Sequence, residues 1–98
     1  MIPGLTSKAS ETTVAVAATI TAKSDIVIVT GTGTTVNTIV PSFGGGFSGF
    51  LVLIPTNAAG ITLGTAGNIL VGIAAAQNRA VFLMYVKSLG KWVINSGV

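Results

Sequence analysis

Hydrophobic residues in this chain recur mostly at alternate positions and show no spacing of the kind an amphipathic helix needs. A period of two puts successive side chains on opposite faces of an extended strand, so it commits the chain to sheets. Between Thr12 and Ala22, Val14, Val16, Ala18 and Ile20 share one face while Thr13, Thr19 and Thr21 share the other, as a half-buried strand requires. The next run, Asp25 to Thr30, is β-branched on both faces through Ile26, Val27, Ile28 and Val29. This predicts a strand covered on both sides.

Glycine and proline punctuate the pattern. Gly31-Thr32-Gly33 is a turn signal, after which Thr34 to Val40 alternates Val36, Thr38 and Val40 against Asn37 and Ile39. Pro41 has no N–H to donate and stops the ladder. Ser42 to Gly49, with Gly44, Gly45 and Gly46 between Phe43 and Phe47, reads as a flexible loop or a place of close approach. Phe50 to Ile54 is predicted as a strand, Pro55 to Gly60 as a turn, Ile61 to Leu63 as a short strand and Gly64 to Asn68 as another turn, followed by Ile69 to Val71. Pattern leaves the conformation of 72–79 open. Ala74 to Gln77 is the one candidate for helix and is too short to hold one alone.

Ala80 to Lys87 alternates Val81, Leu83 and Tyr85 against Phe82, Met84 and Val86. Ser88-Leu89-Gly90 then closes a hairpin onto Lys91 to Asn95, with Trp92 and Ile94 on one face. Short strands separated by glycine turns predict an all-β fold, an antiparallel sandwich or prism. No repeat of fixed period stands out, which argues against a solenoid. Residues 1–12, with Pro3, Gly4, Lys8 and Glu11, read as a flexible N-terminal arm, and 13–98 as a single all-β domain.

Composition adds a constraint. Half of the 98 residues are hydrophobic and only 7% are charged, against about a quarter charged in an average soluble chain. A lone domain of this size buries only about 60–70% of the surface its unfolded chain exposes, so the apolar excess exceeds what one copy can hide. The expectation is a homo-oligomer or docking on a larger assembly. Ile26, Ile28, Phe50, Val52, Ile54, Val81, Leu83 and Trp92 are the candidate core and subunit-interface residues. High hydrophobicity with a net charge of +3 excludes disorder. A transmembrane helix is not expected, because Pro55, Gln77, Asn78 and Lys87 interrupt the apolar runs well short of the ~20 residues a span requires. Met1-Ile2-Pro3-Gly4 carries no signal-peptide pattern.

Catalytic chemistry finds few candidates. There is no histidine and no cysteine, and Glu11 and Asp25 are the only side-chain carboxylates. No catalytic, cofactor or metal residues are assigned, and an enzyme is not expected. Gly31-Thr32-Gly33 lacks the third glycine of a dinucleotide fingerprint, Gly44 to Gly49 lacks the Lys-Ser or Lys-Thr of a phosphate loop, and Gly46-Phe47-Ser48-Gly49 is one residue short of a nucleophile elbow. Lys8, Lys23, Arg79, Lys87 and Lys91 are scattered, unlike a nucleic-acid footprint. Trp92 beside Lys91 could stack on a sugar, but one tryptophan at strand spacing reads first as core or interface. The threonines follow from β-propensity without an ice-binding array.

The succession Thr30-Gly31-Thr32-Gly33-Thr34-Thr35-Val36-Asn37-Thr38-Ile39, then Gly49-Phe50-Leu51-Val52-Leu53-Ile54-Pro55, Gly67-Asn68-Ile69, and Tyr85 with Gly90-Lys91-Trp92, resembles the small β-rich modules of tailed-bacteriophage virion proteins. It spans about residues 25–95, loosely. The resemblance implies a trimeric structural protein, most concretely a capsid decoration (cement) protein. Such a protein would be made in the host cytoplasm and would bind the major capsid protein or another virion protein on the capsid surface. An arm containing Ile2, Pro3, Leu5 and Lys8 would suit contact with the capsid. The alternative within this class is a head-fibre, tail-fibre or tailspike module recognising a host glycan, with Trp92, Tyr85 and Asn95 as first candidates for sugar contact. No nucleic-acid or membrane partner is expected.

Overall fold

A computed structural model describes residues 10–94, and these contain ten strands and no helix. They are β1 (Glu11–Ala15), β2 (Thr19–Thr21), β3 (Ile26–Thr30), β4 (Thr35–Val36), β5 (Thr38–Val40), β6 (Gly49–Pro55), β7 (Ile61–Leu63), β8 (Ile73–Ala75), β9 (Val81–Val86) and β10 (Lys91–Ile94). They form a five-stranded sheet in the order β1-β3-β6-β9-β10, a two-stranded sheet β2-β5 and a three-stranded sheet β4-β7-β8. The all-β expectation holds, and the antiparallel one is corrected. β1 with β3, β3 with β6, β2 with β5 and β4 with β7 are parallel, whereas β6 with β9, β9 with β10 and β7 with β8 are antiparallel.

Parallel pairing needs long connections, and here the connection is the rest of a coil. From β3 the chain passes to β4 in the three-stranded sheet and β5 in the two-stranded sheet, then returns to the first sheet as β6. It then repeats the circuit through β7 and through Asn68, whose N–H donates to the carbonyl of Asn37 beside β5 at 3.1 Å. The stacked residues are unevenly spaced. Glu11 lies against Ile26 and Thr19 against Thr38, fifteen and nineteen residues on, while Ile26 lies against Val52 and Thr35 against Thr62, twenty-six and twenty-seven on. A stacked coil is therefore present without a fixed sequence period, which is why no repeat was visible.

Two predicted strands are each broken by a corner. The run from Thr12 to Ala22 splits into β1 and β2, and the run from Thr34 to Val40 splits into β4 and β5 at Asn37. The N–H groups of Asn37 and Thr38 both donate to the carbonyl of Ala18, at 2.9 and 3.0 Å, so the two corners are tied together. Because the chain turns there, Val36 and Ile39 are both fully buried although three residues apart. Strict alternation had placed them on opposite faces. Ala74, in the helix candidate, lies in strand β8 opposite Thr62.

The core lies between the sheets and is made of β-branched and leucine side chains with one tryptophan. Val27, Val29, Val36, Ile39, Leu53 and Trp92 have no exposed surface, and Leu51, Leu63, Ile69 and Leu83 have almost none. Each such side chain contributes about 1.5–3 kcal/mol on burial. Phe43, Tyr85 and Trp92 meet edge to face, with ring centroids 5.2–6.1 Å apart. Gly49 makes room for this cluster, since a Cβ there would collide with the Phe43 ring. The glycine-rich loop thus has an anchored start, while Phe47 further along is exposed. Glu11 and Thr12, read from sequence as the end of an arm, pair with Ile26 and Val27 as part of β1.

Candidate functional site: the outer face of the five-stranded sheet

Alternation along β3, β6, β9 and β10 sends one set of side chains into the core and the other to the outside. Inside are Val27, Val29, Leu51, Leu53, Val81, Leu83, Trp92 and Ile94. In most soluble proteins the opposite set would be polar. Here it is apolar. Ile26 sits beside Val52, Ile28 beside Ile54, Val52 beside Phe82, Phe50 beside Met84, and Met84 beside Val93. Apart from Thr30 at the end of β3, the polar side chains of this face gather toward its edges, with Glu11 and Thr13 on β1 and Lys91 on β10. The Lys91 ammonium donates to the carbonyl of Gly67 at 3.1 Å.

The centre of the face protrudes. Phe50 is 73% exposed, Phe82 49% and Met84 40%. Taking ~200 Å² per phenylalanine, the two rings alone leave about 250 Å² of aromatic surface in water. Covering it would contribute about 6 kcal/mol before any entropic cost. Next to these rings is a groove of about 430 Å³, lined by Phe50, Val52, Phe82, Met84 and Val93. The half-buried Ile26, Ile28, Ile54 and Val86 continue the apolar surface around it. Contiguous exposed apolar surface of this kind makes the face the candidate site of association.

The structure sorts the candidate residues into two groups. Ile26, Ile28, Phe50, Val52 and Ile54 lie together on the outer face, whereas Val81, Leu83 and Trp92 lie in the core. Ile2, Pro3, Leu5 and Lys8 lie outside the described residues, as does Asn95. The two aromatic candidates for sugar contact are corrected: Trp92 has no exposed surface and Tyr85 only 7%. Both rings are committed to the cluster with Phe43, and the indole N–H donates to the carbonyl of Ile39 at 2.9 Å. Sequence reasoning had not assigned Phe82, Met84 and Val93 to the interface. The signal was present in β9, where placing Val81, Leu83 and Tyr85 inside leaves Phe82 and Met84 on a second apolar face.

A smaller recess of about 260 Å³ is lined by Thr32, Thr34, Thr35 and Thr62 with Gly33 and Gly60. It offers hydroxyl and backbone groups, and the Thr32 hydroxyl is already turned to the carbonyl of Gly60 at 3.3 Å. No buried side-chain nitrogen or oxygen among the described residues lacks a hydrogen-bond partner. What this arrangement can do chemically is bury apolar surface against another apolar surface. Comparison with protein-family models, curated proteins and solved structures finds no match to this chain.

Proposed function

We propose that this chain is a non-enzymatic structural protein that works by assembly, and specifically a virion protein of the capsid decoration type that reinforces the shell by bridging neighbouring capsid subunits. The observation that carries the assembly reading is the apolar outer face of the five-stranded sheet, with Phe50 and Phe82 projecting from it. A surface of that composition is costly in water and is stable when covered. The virion setting comes from the resemblance of residues 25–95 to small β-rich phage modules, which also implies three copies around an axis. In this reading the protein is made in the host cytoplasm and ends on the capsid surface, where the major capsid protein is its partner.

The test is to mix the purified chain with phage shells stripped of decoration and measure cosedimentation and the shell's resistance to heat. Binding at a fixed number of copies per shell, with a raised disruption temperature, is the expected result. Native particles that carry the chain only in the tail would sink the decoration reading.

A further inference from the structure

We propose that a second copy of this chain covers the outer face of the five-stranded sheet, with Phe50 of one copy seated in the groove beside Phe82 and Met84 of its neighbour. This rests on the assembly reading above and adds the identity of what covers the face.

Three features select a second copy over an unrelated partner. The first is composition. Surfaces that meet and part are about as polar as the rest of a protein, whereas permanent contacts between copies resemble a core cut in half. Across β3, β6 and β9 the outward row is Ile26, Ile28, Thr30, Phe50, Val52, Ile54, Phe82, Met84 and Val86, with Thr30 its one polar member.

The second feature is shape. The most exposed ring of the face, Phe50, stands at the margin of the groove that it helps to line. A projection and a recess side by side on one surface suit pairing with another copy, because every copy offers both the ring and the groove that receives it. The groove, at about 430 Å³, has room for an aromatic side chain from a neighbour.

The third is area. Standard interfaces cover about 800 Å² on each partner. Five strands at ~4.8 Å spacing, with β6 seven residues long at ~3.4 Å each, outline a face of about 20 by 24 Å. A flat outline of about 480 Å² is a little over half that figure before side-chain relief is added, and one further face of the same size covers it. Its cover must also be present whenever the chain is, which another copy of the same chain satisfies at any level of synthesis.

The experiment is sedimentation velocity and native mass measurement on the full chain alone, at micromolar concentration, with no shells present. The expected mass is two or three times the 9.8 kDa of one chain. Phe50→Asp and Phe82→Asp should each weaken association by ~30-fold or more, as loss of a central aromatic anchor does. Leu89→Asp, at an exposed position in the β9–β10 turn, should leave association unchanged. Circular dichroism reports whether each variant folds, and Phe50→Ser replaces the aspartate if it perturbs β6. A wild-type chain that sediments at its single-chain mass overturns the proposal, as does an oligomer that survives the face substitutions. A single chain that still binds stripped shells would overturn this contact alone. An oligomer that ignores shells would overturn the decoration reading alone.

Discussion

The indole N–H of Trp92 and the side-chain amide of Asn68 converge on one atom, the carbonyl oxygen of Ile39, at 2.9 and 2.7 Å. The other end of the Asn68 amide accepts from the N–H of Ile39 at 2.8 Å, so this side chain pairs with both backbone groups of a β5 residue as a neighbouring strand would. The backbone of Asn68 in turn accepts from the N–H of Trp92 at 2.8 Å. One residue therefore fastens the two-stranded sheet to the edge of the five-stranded one.

Asn68→Ala should destabilise the fold by about 2–3 kcal/mol, because the N–H of the fully buried Ile39 loses its partner. Asn68→Asp should cost more, since a carboxylate has no N–H to offer the Ile39 carbonyl and places its charge against it. Urea denaturation of the three proteins measures the order. An aspartate variant as stable as wild type would show that the amide is dispensable.

Trp92→Phe should cost about 1–2 kcal/mol, which reflects loss of the bond to Ile39, while Trp92→Ala should cost about 3–5 kcal/mol through the cavity it leaves. The larger loss approaches the whole stability of many small domains. Circular dichroism and thermal melting distinguish the two variants; an alanine variant that melts with wild type would contradict the burial of this ring.

Two glycines of similar conformation should respond differently to alanine. Gly33 has φ of +92° with nothing near its missing Cβ, so Gly33→Ala should cost only about 1 kcal/mol of backbone strain. Gly60 has φ of +69°, and a Cβ there would run into the carbonyl of Ala75 on β8. Gly60→Ala should cost several times as much, about 3 kcal/mol or more, by separating β7 from β8. Equal melting temperatures for the two variants would refute this difference.

Ser24 is a buried polar side chain whose hydroxyl donates to the carbonyl of Ile26 at 2.6 Å and lies 2.8 Å from the hydroxyl of Thr12. Ser24→Ala should cost about 1–2 kcal/mol and Thr12→Val less, because Thr12 is only half-buried. A double-mutant cycle should give a coupling of about 0.5–1 kcal/mol. A coupling of zero would mean that the two hydroxyls do not act together.

Much of this fold is written locally. Val81, Leu83 and Tyr85 inside, Phe82 and Met84 outside, the turn at Ser88-Leu89-Gly90 and the end of β5 before Pro41 all follow from period and turn chemistry. The corners do not. Asn37 is a turn former but stands alone without a glycine or proline, Ala18 carries no turn signal, and the bonds that hold them run from the start of β5 to the residue before β2, so pattern alone extends each strand past its break. The outer face was legible in part. Ile26, Ile28, Phe50, Val52 and Ile54 were picked for being apolar, but pattern could not tell them from Val81, Leu83 and Trp92, because inside and outside are equally hydrophobic here. Only the register between strands separates the two sets.

The parallel stacking also sets an order of events during synthesis. The antiparallel pair β9–β10 is joined by a four-residue turn, whereas β1, β3 and β6 have no neighbouring strand close by in sequence. Trp92, on which the core closes, follows Glu11 by about eighty residues, several seconds of translation at ~5–20 residues per second. For that interval the most β-branched segments of the chain wait with neither their core nor their outer face covered. The nascent chain, rather than the finished protein, is then the form most exposed to aggregation, and it is there that a chaperone would find its opportunity.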